Sequence, residues 1–224
     1  MGFKKAVLGA SGGIDSALVQ HLAVDALGAE NVLAVSMPSR FSSEGSVSDA
    51  IELSKNLGNE HIILPIEDVH NAYEGTLKPI FEGTEVGLAE ENLQARSRAV
   101  LLMAISNKKG NILLNTSNKS EMAVGYSTLY GDLCGSLSVI GDVYKTQVYA
   151  LCEYLHSSQG KIPRNIIEKE PSAELRPDQK DSDSLPLYSI LDGILRLYIE
   201  EKKGHNEIVM EGYDAAVVAK VIRM

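Results

Sequence analysis

The stretch Leu8-Gly9-Ala10-Ser11-Gly12-Gly13-Ile14-Asp15-Ser16-Ala17 constrains this chain more than any other. A β-rich run, Ala6–Ala10, leads into it, and Ile14, Ala17, Leu18 and Leu22 follow as an apolar stripe at helical spacing. The backbone must therefore pass from strand to helix across glycines, which tolerate positive φ and close approach of a ligand. A helix that starts there offers unpaired N–H groups and a partial positive charge. Ser11 and Ser16 add hydroxyls. Gly9, Ala10, Ser11, Gly12, Gly13, Ile14, Asp15 and Ser16 thus read as a cradle for phosphate or pyrophosphate. The stretch has neither the Gly-Lys-Ser/Thr of a Walker A loop nor the GxGxxG dinucleotide fingerprint. A plain serine-capped turn would explain Ser-Gly-Gly alone. It would not explain Asp15, because a carboxylate repels phosphate unless a cation bridges the two.

Three further β-rich runs, Val32–Met37, His61–Ile66 and Ile112–Asn115, alternate with segments of helical period. Val47, Ala50, Ile51 and Leu57 mark one helix. Leu88–Lys108 marks a long one, stopped by Lys109-Gly110-Asn111. This alternation predicts an α/β fold, a parallel sheet flanked by helices with ligands beyond the carboxyl ends of its strands. The second half predicts a helix over Val143–His156, then an irregular polar segment over Lys161–Pro186 holding Pro163, Pro171, Pro177 and Pro186. Helices over Leu187–Lys203 and from Asp214 to Met224 form a helical C-terminal extension. No internal repeat divides the chain, so residues 1–224 read as a single domain.

Of the 224 residues, 44% are hydrophobic, enough for a sizeable core. The 21 basic and 30 acidic residues give a net charge of -9, which argues against a non-specific nucleic-acid binder. The longest apolar run, Ala99–Ile105, is too short to span a bilayer, and Met1-Gly2-Phe3-Lys4-Lys5 does not read as a signal peptide. The expectation is a cytoplasmic protein. Cys134 and Cys152 make no CxxC pair and read as small packed hydrophobes. His21, His61, His70, His156 and His205 show no metal-ligand spacing.

The cradle resembles the pyrophosphate-binding loop of the N-type ATP pyrophosphatases, which cleave ATP between its α- and β-phosphates and adenylate a substrate oxygen. A second set of stretches narrows the resemblance. These are Glu91-Asn92-Leu93-Gln94-Ala95-Arg96, Asn115-Thr116-Ser117-Asn118-Lys119-Ser120-Glu121, Gly125–Asp132, Asp142-Val143-Tyr144-Lys145-Thr146 and Glu170-Pro171-Ser172-Ala173-Glu174-Leu175. In order and spacing they resemble NAD synthetase, especially the synthetase domain of the glutamine-dependent enzymes.

The resemblance implies ATP-dependent amidation of deamido-NAD by ammonia through an adenylated intermediate, releasing AMP and pyrophosphate. It implies ATP and Mg2+ as cofactors. Asp15, Thr116 and Lys145 would be catalytic, and Asp15 and Glu121 would share the metal. Thr116, Lys145 and Ser172 would join the cradle around ATP. Asn92, Arg96, Glu121, Leu129 and Asp132 would meet deamido-NAD, with Leu129 standing where ammonia-dependent members carry a lysine. A homodimer or larger assembly is expected, with contacts over Leu88–Lys108 and Leu187–Lys203. The first strand begins near Lys5, so an amidase domain is expected to be absent from this chain, which would then use free ammonia, although a full-length protein can carry one. The competing readings are another ATP-pyrophosphatase amide ligase, such as one like GMP synthetase, and a non-catalytic nucleotide-binding module.

Residue by residue, simpler roles compete. Thr116 can cap a helix, Glu121 can be a solvated helix-face carboxylate, Lys145 a surface lysine and Ser172 an ordinary loop serine. Arg96 can pair with Glu91.

Overall fold

The computed structural model describes residues 2–224. Five strands, β1 (Ala6–Gly9), β2 (Val32–Ser36), β3 (Glu60–Ile63), β4 (Ile112–Asn115) and β5 (Leu137–Ser138), form one sheet in the order β3-β2-β1-β4-β5. Every pairing is parallel, with Ala6 opposite both Val32 and Ile112. Ala6, Val7 and Leu8 are fully buried, as expected of a central strand covered on both faces.

On one face pack α1 (Ile14–Leu27) and α6 (Lys145–Gln159), where Leu18, Val148 and Cys152 join the core of Ala6 and Leu8. On the other face α4 (Leu88–Lys109) sets Leu101, Leu102 and Ile105 against Val7, Leu33, Val35 and Leu113. The helix α4 ends at Gly110, whose left-handed backbone (φ 69°) closes the last turn, as the Lys109-Gly110-Asn111 stop predicts.

The α/β fold and the four longer strands match the sequence reading, with ends shifted by a few residues. Two stripe positions do not. Leu22 of α1 is exposed, and so is Ile51 of α2 (Glu44–Leu57), which buries Ala50 and Leu53 instead. The irregular segment after α6 contains a short helix, α7 (Arg164–Glu168), and a single 3-10 turn over Asp181–Asp183. Three helices escaped the periodicity: α3 (Glu67–Phe81), α5 (Lys119–Ala123) and α9 (His205–Met210).

The helical extension comprises α8 (Tyr188–Leu195), α9 and α10 (Ala215–Arg223), which share a core of Leu191, Ile194, Leu195, Ile208, Val218 and Val221. The helix expected over Leu187–Lys203 changes pitch after Leu195. Arg196–Glu200 is a π-helical turn, closed by the Glu201 N–H donating to the Arg196 carbonyl. Asp214 caps α10 by accepting from the Ala216 and Val217 N–H groups. Among the described residues no helix is long and apolar enough to cross a membrane.

The strand order fixes the position of the site. The chain runs outward from β1 to β3, then crosses to β4 on the far side of β1. A crevice opens where the order reverses, beyond the carboxyl ends of β1 and β4.

Candidate active site

A deep cleft occupies that crevice. Gly9–Ser11 and Gly13–Ser16 from the β1–α1 turn line it, with Asn115, Thr116 and Ser117 after β4, Lys145 from α6, and Glu170–Leu175 from the proline-rich segment. Ser172 and Thr116 therefore face the same space as the cradle.

The turn is held by its own hydroxyls. Ser11 Oγ accepts from the Gly13 N–H at 3.2 Å and lies 3.0 Å from Ser16 Oγ. Ser16 Oγ also reaches the Gly13 carbonyl at 3.0 Å. Gly13 is the N-cap of α1 and supplies no side chain, so the helix start is left to backbone N–H groups. Gly12 has φ 77°, and a Cβ there would run into the Ser46 backbone of α2.

Lys145 is the first residue of α6, and its side chain is only 3% exposed. Its ammonium lies 2.5 Å from Asp15 Oδ2 and 3.2 Å from Glu121 Oε1. It also sits over the Tyr188 ring, 5.2 Å from the centroid. Burial pulls this ammonium toward the neutral form, but Asp15 and Glu121 outweigh it and hold Lys145 above the ordinary lysine range. The remaining oxygens are also taken: Asn118 Nδ2 donates to Asp15 Oδ1 at 2.9 Å, and the Asn118 N–H donates to Glu121 Oε2 at 3.4 Å. Burial, and next the Asp15 charge, push the Glu121 carboxyl up to about 8. One cation cannot neutralise two desolvated carboxylates.

The surface-lysine reading of Lys145 is thus excluded. The cap of α5 is Asn118, which accepts from the Glu121 N–H at 3.0 Å, and not Thr116. Arg96 does not pair with Glu91. Its Nε donates to the Leu129 carbonyl at 3.2 Å, while Glu91 lies 3.5 Å from Arg176.

Asn92, Arg96 and Asp132 converge on one short loop. Thr128 Oγ1 donates to Asn92 Oδ1 at 2.7 Å, and the Thr128 N–H donates to Asp132 Oδ1 at 2.8 Å. Of these three only Asp132 lines the cleft, and Leu129, 66% exposed, stands outside it on the rim.

Further residues, to which the sequence reading assigned no role, shape the site. Arg98 lines the cleft, and its Nε donates to the Met37 carbonyl at 2.9 Å. Glu174 fastens the Glu170–Leu175 strap over the N-terminus of α2, accepting from Ser43 Oγ at 2.9 Å and Ser46 Oγ at 2.5 Å. Lys169 donates to the same Ser46 hydroxyl. On the other side Gln94 Nε2 holds the Leu175 carbonyl at 2.9 Å. Asp181 accepts from Tyr188 OH at 2.8 Å and Tyr126 OH at 3.3 Å. The sequence reading singled out Glu170–Leu175, Glu91–Arg96 and Gly125–Asp132 but not these contacts between them.

Among the described residues no group of three or more His, Cys, Asp or Glu is placed to hold a metal. Asp15 and Glu121 nevertheless fit magnesium. They are hard oxygen donors at the cleft, and each carboxylate oxygen has lone-pair capacity beyond one hydrogen bond. An ion there would draw its other ligands from phosphate and water, as magnesium does.

The NAD synthase family model matches residues 1–224. The glutamine-dependent NAD(+) synthetase of Synechocystis sp. is 52% identical over 223 residues, which cover 100% of this chain and 40% of the relative. The glutamine-dependent NAD+ synthetase of Acinetobacter baumannii, solved with ADP, superposes with TM-score 0.74 at 46% identity over 99% of this chain and 40% of that one. The NH3-dependent NAD synthetase of Campylobacter jejuni gives TM-score 0.78 at 30% identity, covering 100% of this chain and 84% of that one. The chain spans about two fifths of the length of the glutamine-dependent relatives it matches. With the parallel sheet, the cradle at its reversal point and this match from end to end, the chain belongs to the NAD synthase family.

Proposed function

We propose that this chain amidates deamido-NAD with ammonia, using ATP to adenylate the nicotinate carboxylate. The observation that carries this reading is the Lys145 ammonium, which stands between two carboxylates and faces the same cleft as the Ser11–Ser16 cradle. A carboxylate is a poor electrophile, so its oxygen must first become a good leaving group. Attack of that oxygen on the α-phosphorus breaks the bond to the β-phosphate and releases pyrophosphate. Ammonia then attacks the acyl carbon, the bond to AMP breaks, and the surplus proton passes to water.

The chain's own residues divide this work. The backbone N–H groups at the start of α1, with Ser11 and Ser16, bind the β,γ-pyrophosphate. Ser172 meets it from the strap, and Thr116 reaches the nucleotide from the end of β4. The charge growing on the α-phosphate falls to Lys145. Val35, Met37, Ala99 and Leu102 offer an apolar wall for the adenine, beside Arg98. Asp132 faces deamido-NAD, and Asn92, Arg96 and Leu129 set the rim against which the dinucleotide lies. Asp15 and Glu121 would hold magnesium, which screens the triphosphate and the departing pyrophosphate.

The nitrogen source follows from the thiols. Burial pushes the Cys152 thiol up to about 12 and raises Cys134 too, so neither suits a glutamine-cleaving nucleophile. This chain takes ammonia as supplied, from solution or from an amidase segment. It works in the cytoplasm as a homodimer, and exposed Leu88 and Val100 on α4 suit a contact between copies.

An isotope experiment tests adenylation. Deamido-NAD carrying 18O in its nicotinate carboxylate should pass one label to AMP. Label retained in water or in inorganic phosphate would refute the route.

A further inference from the structure

Asp192 lies on α8, outside the cleft, and is 5% exposed. Among the described residues no lysine or arginine pairs with it. Its Oδ1 accepts from Ser120 Oγ at 2.5 Å, and its Oδ2 accepts from the Thr146 N–H at 2.8 Å. Ser120 Oγ in turn accepts from the Lys145 N–H at 2.9 Å. Tyr144, the N-cap of α6, provides no side-chain cap, so the first N–H groups of that helix are satisfied from α5 and α8. A carboxylate at this end of α6 also meets the positive pole of the helix.

The two groups that Asp192 holds are the immediate neighbours of Glu121 and Lys145. Those two side chains, 24 residues apart in sequence, meet at 3.2 Å in the cleft. We propose that Asp192 is a positioning residue: from the helical extension it locks the start of α6 to α5 and so fixes the Lys145 ammonium relative to Glu121. This deepens the proposed function, because it makes the extension part of the machinery that presents Lys145 to the α-phosphate.

A second link joins the same elements at the surface and serves as the control. Lys119 of α5 pairs with Glu200 at 2.6 Å, and Tyr144 OH donates to Glu200 at 3.2 Å. The experiment compares Asp192→Asn, Ser120→Ala and Glu200→Gln in the full chain. In Asp192→Asn one oxygen becomes an amide that faces a donor. Its kcat should fall about tenfold to a hundredfold, the scale set by a small misplacement of a reacting group, with KM for ATP little changed. Ser120→Ala should do the same more mildly, and the double variant should be no worse than Asp192→Asn alone. Glu200→Gln should keep kcat.

A readout that needs no turnover is the 13Cε resonance of Lys145, assigned by its loss in Lys145→Met. It should move in Asp192→Asn and Ser120→Ala and stay in place in Glu200→Gln. An unmoved resonance in both of the first two variants would overturn the proposal. So would a kcat loss that merely follows thermal stability and equals that of Glu200→Gln. Should Asp192→Asn fail to fold, Ser120→Ala decides alone. A moved resonance in a chain that makes no NAD would defeat the functional reading and leave this one standing.

Discussion

A Cβ built on Gly12 would lie 2.1 Å from the Ser46 carbonyl oxygen, so the β1–α1 turn and the first turn of α2 touch backbone to backbone at a position only glycine fits. Ser46 is also the residue on which Glu174 of the strap and Lys169 just before it converge. Gly12→Ala should therefore cost at least about 1–3 kcal/mol from backbone strain alone, and it should weaken nucleotide binding by displacing the turn. Chemical denaturation and ATP titration check the two effects. The same substitution at Gly87, where no atom lies within 4 Å, is the comparison expected to be mild.

Replacing Lys145 by Met leaves Asp15 and Glu121 facing each other without their cation. Removing one partner of a buried pair typically costs about 3–5 kcal/mol. Lys145→Met should lose stability by up to that scale, and Glu121 should hold its proton to higher pH than in the wild type, because the ammonium that opposes its raised pKa is gone. Turnover should fall about a hundredfold or more, as when an oxyanion donor is lost. Retained turnover with lowered stability would make Lys145 structural only.

The Glu121 carboxyl gives stability a pH slope. Its ordinary value is 4.5, and in the folded chain it stands at about 8. Between these values the folded state binds more protons than the unfolded one, so this group's contribution to stability falls as pH rises from about 4.5 to 8. Denaturation midpoints at pH 5.5 and 7.5 should show a decline in the wild type and a smaller one in Glu121→Gln. Magnesium at high concentration should also flatten the slope.

Thiol labelling tests the account of the cysteines. Cys152 is buried, with its thiol near 12, and Cys134 is partly buried with a raised pKa. At pH 8 the native chain should react slowly with a disulfide reagent, Cys134 first. Both should react quickly once unfolded. Rapid native labelling of Cys152 would contradict the packing described.

How far the sequence showed these features depends on distance along the chain. The cradle was legible because every residue in it is local, and its strand and helix flank it directly. Ile112–Asn115 matched to the residue because its β-rich run is bounded by turn signals. The helix α3 carries Val69, Tyr73, Leu77 and Ile80 at helical spacing and was passed over, and it buries only His70. The strand β5 is two exposed residues long and makes no pattern at all. Lys145 meets Asp15 across 130 positions and Arg98 meets Met37 across 61, and neither pairing leaves a trace in periodicity. The resemblance pointed to Lys145 and Asp15. Nothing pointed to Arg98 or to Asp192, whose roles exist only once the helices are docked.

If the proposed chemistry holds, this chain couples cleavage of ATP at the α-phosphate to amide formation. The direct measurement is the stoichiometry of products when the pure chain meets ATP, magnesium, deamido-NAD and an ammonium salt, followed by 31P NMR and chromatography. NAD, AMP and pyrophosphate should form in equal amounts, with the rate at fixed total ammonium rising with pH as NH3 replaces NH4+. ADP and inorganic phosphate as the coupled products, or AMP and pyrophosphate without NAD, would contradict it.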